Sequence, residues 1–139
     1  MPMVIDSSAM LTLQFPDEDS AALQAVAVLL ADAGAVTPIH WKAEIANSLV
    51  VAVRRGRISV QERKEILSDM AEFAIKTDSV SADAFWRDTI LLCDRHKLSA
   101  YDASYLELAL RLQLPLATMD KALATSARAE GVKVFGPYK

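Results

Sequence analysis

The stretch Leu98–Asp120, LSAYDASYLELALRLQLPLATMD, decides how the chain is read. Its first part has the spacing of a helix from about Ala100 to Leu112. Its last part, Leu116–Thr118, reads as a short apolar strand that delivers Asp120. At about 100° per residue, Ser104, Glu107 and Arg111 form one polar stripe. Asp102 projects away from that stripe, onto the side of Leu106 and Ala109. A carboxylate among apolar neighbours is costly unless something offsets its charge. Taken alone, Asp102 also reads as a first-turn acid that complements the helix dipole.

Upstream and downstream, short apolar segments alternate with helices. Met3–Ile5 reads as a strand ending in Asp6, followed by Ser7, Ser8 and a helix to about Leu13. A helix over about Ala21–Ala33 is closed by Gly34, and Ala35–Thr37 is a second strand. Helices over about Trp41–Arg55 and Val60–Phe73, parted by Gly56, form a helical hairpin. Ile75–Val80 reads as extended, and Ser81 as the cap of a helix reaching His96. Lys121–Glu130 is the last helix and Val132–Phe135 the last strand. The strands are apolar without alternation, as in a parallel sheet covered on both faces. The expected fold is α/β, a three-layer α/β/α arrangement with a short, mostly parallel sheet, in a single domain over residues 1–139.

Composition narrows the functional classes. Hydrophobic residues make up 53% of 139, so the chain can bury a full core. No apolar run approaches the roughly 20 residues of a membrane span, and no export signal is expected. The one cysteine, Cys93, permits no internal disulfide and fits a reducing cytoplasm. One Cys and two His, His40 and His96, exclude a zinc finger or ribbon. Cys93 reads as core, and His96 as a helix-terminal partner of the dipole. The net charge of −3 is not that of a protein gripping nucleic acid by bulk electrostatics. A local basic patch or a metal would have to offset it.

The acids carry the chemistry. In open parallel sheets, ligands bind beyond the carboxyl ends of the strands. Asp6 follows the first strand and Asp120 the Leu116–Thr118 strand, so both fall on one sheet edge. Asp102 opens the helix leading to the second of these strands. Hard oxygen donors of this kind suit Mg²⁺ or Mn²⁺. Asp6 and Asp120 each read equally as a helix cap, and position alone leaves both accounts open.

Four segments, VIDSSAML, TPIHWKAEIANSLV, LSAYDASYLELA and LPLATMDKAL, resemble in order and spacing the motifs of PIN-domain proteins. They look most like VapC toxins, the ribonuclease half of type II toxin–antitoxin pairs. The resemblance runs from Val4 to about Phe135. It implies that Asp6, Glu44, Asp102 and Asp120 are the catalytic and metal-holding acids, with Ser8 and Thr118 supporting them. It also implies RNA hydrolysis with Mg²⁺ or Mn²⁺, a structured or single-stranded RNA target that is often a transfer RNA, a small VapB-like antitoxin whose tail lies over the acidic pocket, and a homodimer.

Glu44 has no such case from spacing, because it shares a polar helix side with Asn47, Ser48 and Arg55. Asn47, one turn on, either orients Glu44 or is simply exposed. Arg54, Arg55 and Arg57 could meet phosphates, meet an acidic partner, or solvate a helix end. Tyr101 and Tyr105 read as packing residues, and Trp41 and Trp86 as core or interface anchors. Three rival readings each lack a residue or face an objection. An aspartyl-phosphate phosphatase needs a second Asp where Ser8 stands. A receiver-like signalling module needs an acidic pair where Ser7 follows Asp6. A non-catalytic PIN-like scaffold is opposed by the presence of all four acids.

Overall fold

Three consecutive residues with no solvent exposure, Met3, Val4 and Ile5, form the central strand β1. Successive strand side chains point to opposite faces, so complete burial of all three means that both faces of the sheet are covered. Residues 1–80 and 82–139 are described by a computed structural model; the cap expected at Ser81 lies outside them. After β1 come α1 (Ser7–Gln14), a 3₁₀ turn (Ala21–Leu23) and α2 (Gln24–Ala33). Then follow β2 (Ala35–Thr37), α3 (Trp41–Arg54), α4 (Val60–Ala71) and β3 (Ile75–Thr77). The segment 82–96 is helical in three pieces: α5 (Ala82–Ala84), a π-helical turn (Phe85–Thr89) and α6 (Ile90–His96). The chain ends with α7 (Ala100–Leu112), β4 (Leu116–Ala117), α8 (Lys121–Ala129) and β5 (Val134–Phe135).

The sheet order is β3-β2-β1-β4-β5, and all four pairings are parallel. Val4 stands opposite both Val36 and Leu116, which locks β1 between β2 and β4. The chain proceeds to one side of β1 through β2 and β3, then returns to the other side through β4. The strand order therefore reverses between β1 and β4, the crevice where open parallel sheets bind ligands. Asp6 and Asp120 stand at that reversal.

Helix α7 departs from the amphipathic expectation. Ala103 through Ala109 are all buried, the polar stripe members Ser104 and Glu107 included. The stripe faces other elements instead of water. Arg111 Nε donates to Glu107 Oε1 at 2.7 Å, and its Nη2 donates to Asp78 Oδ2 at 2.6 Å. A buried acid is tolerated because it is paired and hydrogen-bonded. Asp102, placed on the buried side by its periodicity, is half-exposed at the open end of the sheet. The aromatic pairs also divide. Trp41 and Tyr105 are core, whereas Trp86 and Tyr101 are 61% and 64% exposed. Cys93 is only partly buried. His96 binds Glu130 at 2.9 Å, so it ties α6 to the end of α8 as well as closing its own helix.

The helix pair α3 and α4 is joined by a short turn with Gly56 at φ 71°. A capping box at Ser59 and Glu62 starts α4. Arg57 in that turn is taken by Asp17 and Glu18 and lies 4.1 Å from the Phe15 ring centroid. Of the three arginines singled out, only Arg54 and Arg55 are left outside this internal network. Among the described residues, no helix is long and apolar enough to cross a membrane.

Candidate active site

Asp6 is held more tightly than the other acids. Its backbone is extended and caps α1, with Oδ1 accepting from the Ala9 N–H at 2.8 Å. The Ser8 hydroxyl donates to the same oxygen at 2.7 Å. The Thr118 hydroxyl donates to Oδ2 in a short bond. Each hydroxyl also accepts a backbone N–H: Met119 onto Ser8 at 3.0 Å, and Asp120 onto Thr118 at 3.0 Å. A hydroxyl has a single proton, so both protons are committed to Asp6. Ser8 and Thr118 thus fasten the β4–α8 loop, and Asp120 with it, to the carboxylate at the end of β1. Three of about four lone-pair positions on Asp6 are filled, leaving one on Oδ2.

These donors favour the ionised form, but burial outweighs them. Asp6 is 4% exposed. Burial, with a smaller push from the Asp102 charge, raises its pKa to about 6 against the hydrogen bonds from Thr118, Ala9 and Ser8. Asp120 caps α8 through Oδ1, which accepts from the Leu123 N–H at 2.9 Å. The cap accounts for both strand-end acids are therefore correct as far as they go. Capping uses one oxygen of each carboxylate; the other oxygen of Asp6 also accepts from Thr118 and keeps one lone-pair position.

Asp102 stands in the first turn of α7, where Ser99 caps the helix by accepting the Asp102 N–H at 3.1 Å. Burial raises its pKa, and the charges of Asp120 and Glu44 raise it further. Glu44 behaves differently. Burial acts to raise it, but hydrogen bonds from His40 and Tyr105 prevail and hold it below the ordinary glutamate range. The Tyr105 hydroxyl makes a short bond to Glu44 Oε1, and His40 Nε2 lies 3.2 Å from the same atom. Burial, and then the Glu44 partner, push the Tyr105 phenol strongly up, so it remains a donor. Asn47 is exposed and takes no part in these bonds. Ser8, Asn47 and Arg55 line a separate groove beside α1 and α3.

Two residues escaped the sequence reading. His40, placed i, i+4 from Glu44, packs edge-on against the rings of Tyr101 and Tyr105 at 5.6 and 5.3 Å. Tyr105 packs in the core as its sequence context suggests, and its hydroxyl also orients Glu44. For His40 the signal was the helical spacing His40-x₃-Glu44; for Tyr105, a contact 61 residues away in sequence, there was none.

The donor set is carboxylate oxygen, which suits Mg²⁺ or Mn²⁺. Among the described residues, no three His, Cys, Asp or Glu groups close into a ready-made ligand cluster. The acids are nevertheless electrostatically joined, with Asp102 raised by Asp120 and Glu44, and Asp6 raised by Asp102. A divalent cation would relieve that repulsion, so the residues fit such an ion.

Comparison with known proteins agrees with this arrangement. The PIN domain profile matches residues 3–129. The chain is 32% identical over 131 residues to Ribonuclease VapC3 of Pyrobaculum aerophilum, covering 89% of this chain and 93% of that one. Two crystal structures share the fold. FitAcB from Neisseria gonorrhoeae aligns with a TM-score of 0.69 at 16% identity, covering 98% of both chains. PAE2754 from Pyrobaculum aerophilum aligns at 0.64 and 21% identity, covering 96% of this chain and 83% of that one. The chain belongs to the PIN-domain family, as one of its VapC-like members.

Proposed function

We propose that the protein is a metal-dependent endoribonuclease of the VapC toxin type, hydrolysing RNA phosphodiester bonds. The observation that carries this reading is the electrostatic joining of four acids at the strand-order reversal, with Asp102 as their common neighbour. The kinship to a protein named Ribonuclease VapC3 supports the choice of RNA. Asp6, Glu44, Asp102 and Asp120 would hold Mg²⁺ or Mn²⁺, directly or through water. When bound, the ion activates water and stabilises charge developing on the phosphate.

The protein's own side chains set the geometry for this. Ser8 and Thr118 fix the Asp6 carboxylate and draw the Asp120 backbone against it. Tyr105 and His40 fix Glu44 Oε1. Asp102, partly buried like Glu44 and Asp120, is coupled by charge to both of them. The oxygen-only donor set also makes a His or Lys base unnecessary.

VapC-like proteins act with a small antitoxin, and we assign a VapB-like partner whose tail would cover the acidic crevice. The PIN match leaves the phosphatase and receiver-like readings without support. Retention of all four acids opposes the scaffold reading. The test is cleavage of cellular RNA by purified protein. Chelator should abolish it, Mn²⁺ should restore it, and Asp6→Ala should lack it in both conditions. Cleavage that persists in chelator would contradict the proposal.

A further inference from the structure

Beside the acids lies a concave apolar cavity of about 440 Å³. Phe85, Trp86, Tyr101 and Ile39 contribute its apolar walls, and His40 and Ser104 bring polar atoms to it. Two of its lining residues adjoin the acids. Tyr101 immediately precedes Asp102, and His40, which lines the cavity, lies 3.2 Å from Glu44. Trp86 and Tyr101 are the exposed members of the aromatic set, at 61% and 64%. Exposing large aromatic rings at a cavity mouth forgoes burial that is worth a good deal.

The backbone that carries Phe85 and Trp86 is itself unusual. Phe85–Thr89 is a π-helical turn between α5 and α6. Such turns are rare and concentrate at functional sites. By adding a residue to the turn, this one changes the direction in which Phe85 and Trp86 project relative to an unbroken α-helix. Opposite them, the Tyr101 ring is braced edge-on by His40 at 5.6 Å.

We propose that this cavity receives an unpaired nucleobase of the RNA, flanking the phosphate that is cut, with Trp86 and Tyr101 as its stacking surfaces. This rests on the ribonuclease reading and narrows it to substrates with a single-stranded or extruded base at the cut. Charge supports a base as the occupant. At a net −3 the protein has no bulk electrostatic hold on RNA. Arg57 and Arg111 are tied up in internal ion pairs. Stacking supplies affinity that does not depend on phosphate charge. His40 Nε2 and Ser104 Oγ are already committed to Glu44 and to the Tyr101 carbonyl, so the cavity would hold a base by stacking and not by its polar edge.

Trp86 reports on its own site, because the second tryptophan, Trp41, is buried. In chelator, a short single-stranded RNA should quench the exposed tryptophan emission, and the same strand annealed to its complement should not. Tyr101→Ala should weaken that binding, and its salt dependence should be shallow. With Mn²⁺, Trp86→Ala should raise KM by roughly tenfold or more with little change in kcat, and Trp86→Phe should recover most of the loss. Two results would overturn the proposal. One is unaltered emission in the presence of single-stranded RNA. The other is an unaltered KM in Trp86→Ala, with or without conversion of a dimer to monomer; conversion would assign the face to a second copy. If no RNA is cut but single-stranded RNA still quenches Trp86, the ribonuclease reading fails and the base site stands.

Discussion

Asp6 and Asp102 illustrate how one side chain's surroundings become a measurable property of the protein. The folded pKa of Asp6 is about 6, above its ordinary 3.8, so the metal-free fold binds a proton more tightly than the unfolded chain. Its contribution to stability is complete below the unfolded value and is lost as pH rises through the folded one. Asp102 is shifted in the same direction. Glu44 is lowered, and its contribution falls away only in more acidic solution. Metal-free protein should therefore gain on the order of 1 kcal/mol from Asp6 between about pH 7 and pH 5. Mn²⁺ should reverse the trend, because it binds the ionised folded site and stabilises by mass action. Asp102→Asn removes one repelling charge at nearly constant shape. In chelator near neutral pH it should melt higher than the parent by roughly 2–4 °C, and it should gain less from Mn²⁺. A lower melt with an equal Mn²⁺ response would make Asp102 a structural acid. Thr118→Val takes the donor from Asp6 Oδ2 and the acceptor from the Asp120 N–H in one nearly isosteric change. It should cost about 1–3 kcal/mol in denaturant unfolding, and it should slow cleavage by releasing the loop. Unchanged stability would show that the Thr118 hydroxyl does not fasten that loop.

At the scale of elements, the site depends on how closely β4 and the segment after β5 approach. Gly136, at φ 131°, has no room for a side chain: a Cβ there would lie 2.2 Å from the Thr118 carbonyl oxygen. Gly136→Ala should therefore displace the strand end that carries Thr118, lowering stability by about 1–3 kcal/mol and reducing cleavage although Gly136 touches no acid. Normal cleavage in a folded Gly136→Ala protein would mean that the β4 end tolerates movement. The same elements show what the sequence could convey. Strands β1 and β4 were legible because short apolar runs end in Asp6 and at Thr118–Asp120, and a parallel sheet places such ends on one edge. The α7 stripe was legible as a pattern but was given the wrong surroundings. Periodicity finds that Ser104, Glu107 and Arg111 share a side, yet only tertiary contacts bring Asp78 to Arg111 and bury Glu107. Glu44 stood on family resemblance alone, since the Tyr105 and His40 bonds that distinguish it from a solvated glutamate form only in the folded chain. The π-helical turn at Phe85–Thr89 left no mark in the apolar spacing of its helix.

For the whole molecule, exposed apolar surface and acidic charge have separate consequences. Ile90 and Leu91, adjacent on α6, remain 52% and 55% exposed, and Val28 on α2 is 69% exposed. The adjacent pair on α6 is apolar surface that an interface would cover, so the protein should be a homodimer. Light scattering at micromolar concentration checks this without any partner, and a monomer there would contradict it. Under the proposed function, catalysis would depend on a cation held by four side chains from four segments. The account's central claim is that these acids act as one site around Asp102. The most direct measurement is the RNA cleavage rate of Asp102→Ala in Mn²⁺, alongside circular dichroism showing that the variant is folded. Loss of an outer metal contact commonly costs 10–100-fold, so loss of Asp102 itself should lower the rate by at least about a hundredfold. A folded Asp102→Ala protein that cleaves RNA at the parent rate would contradict the account.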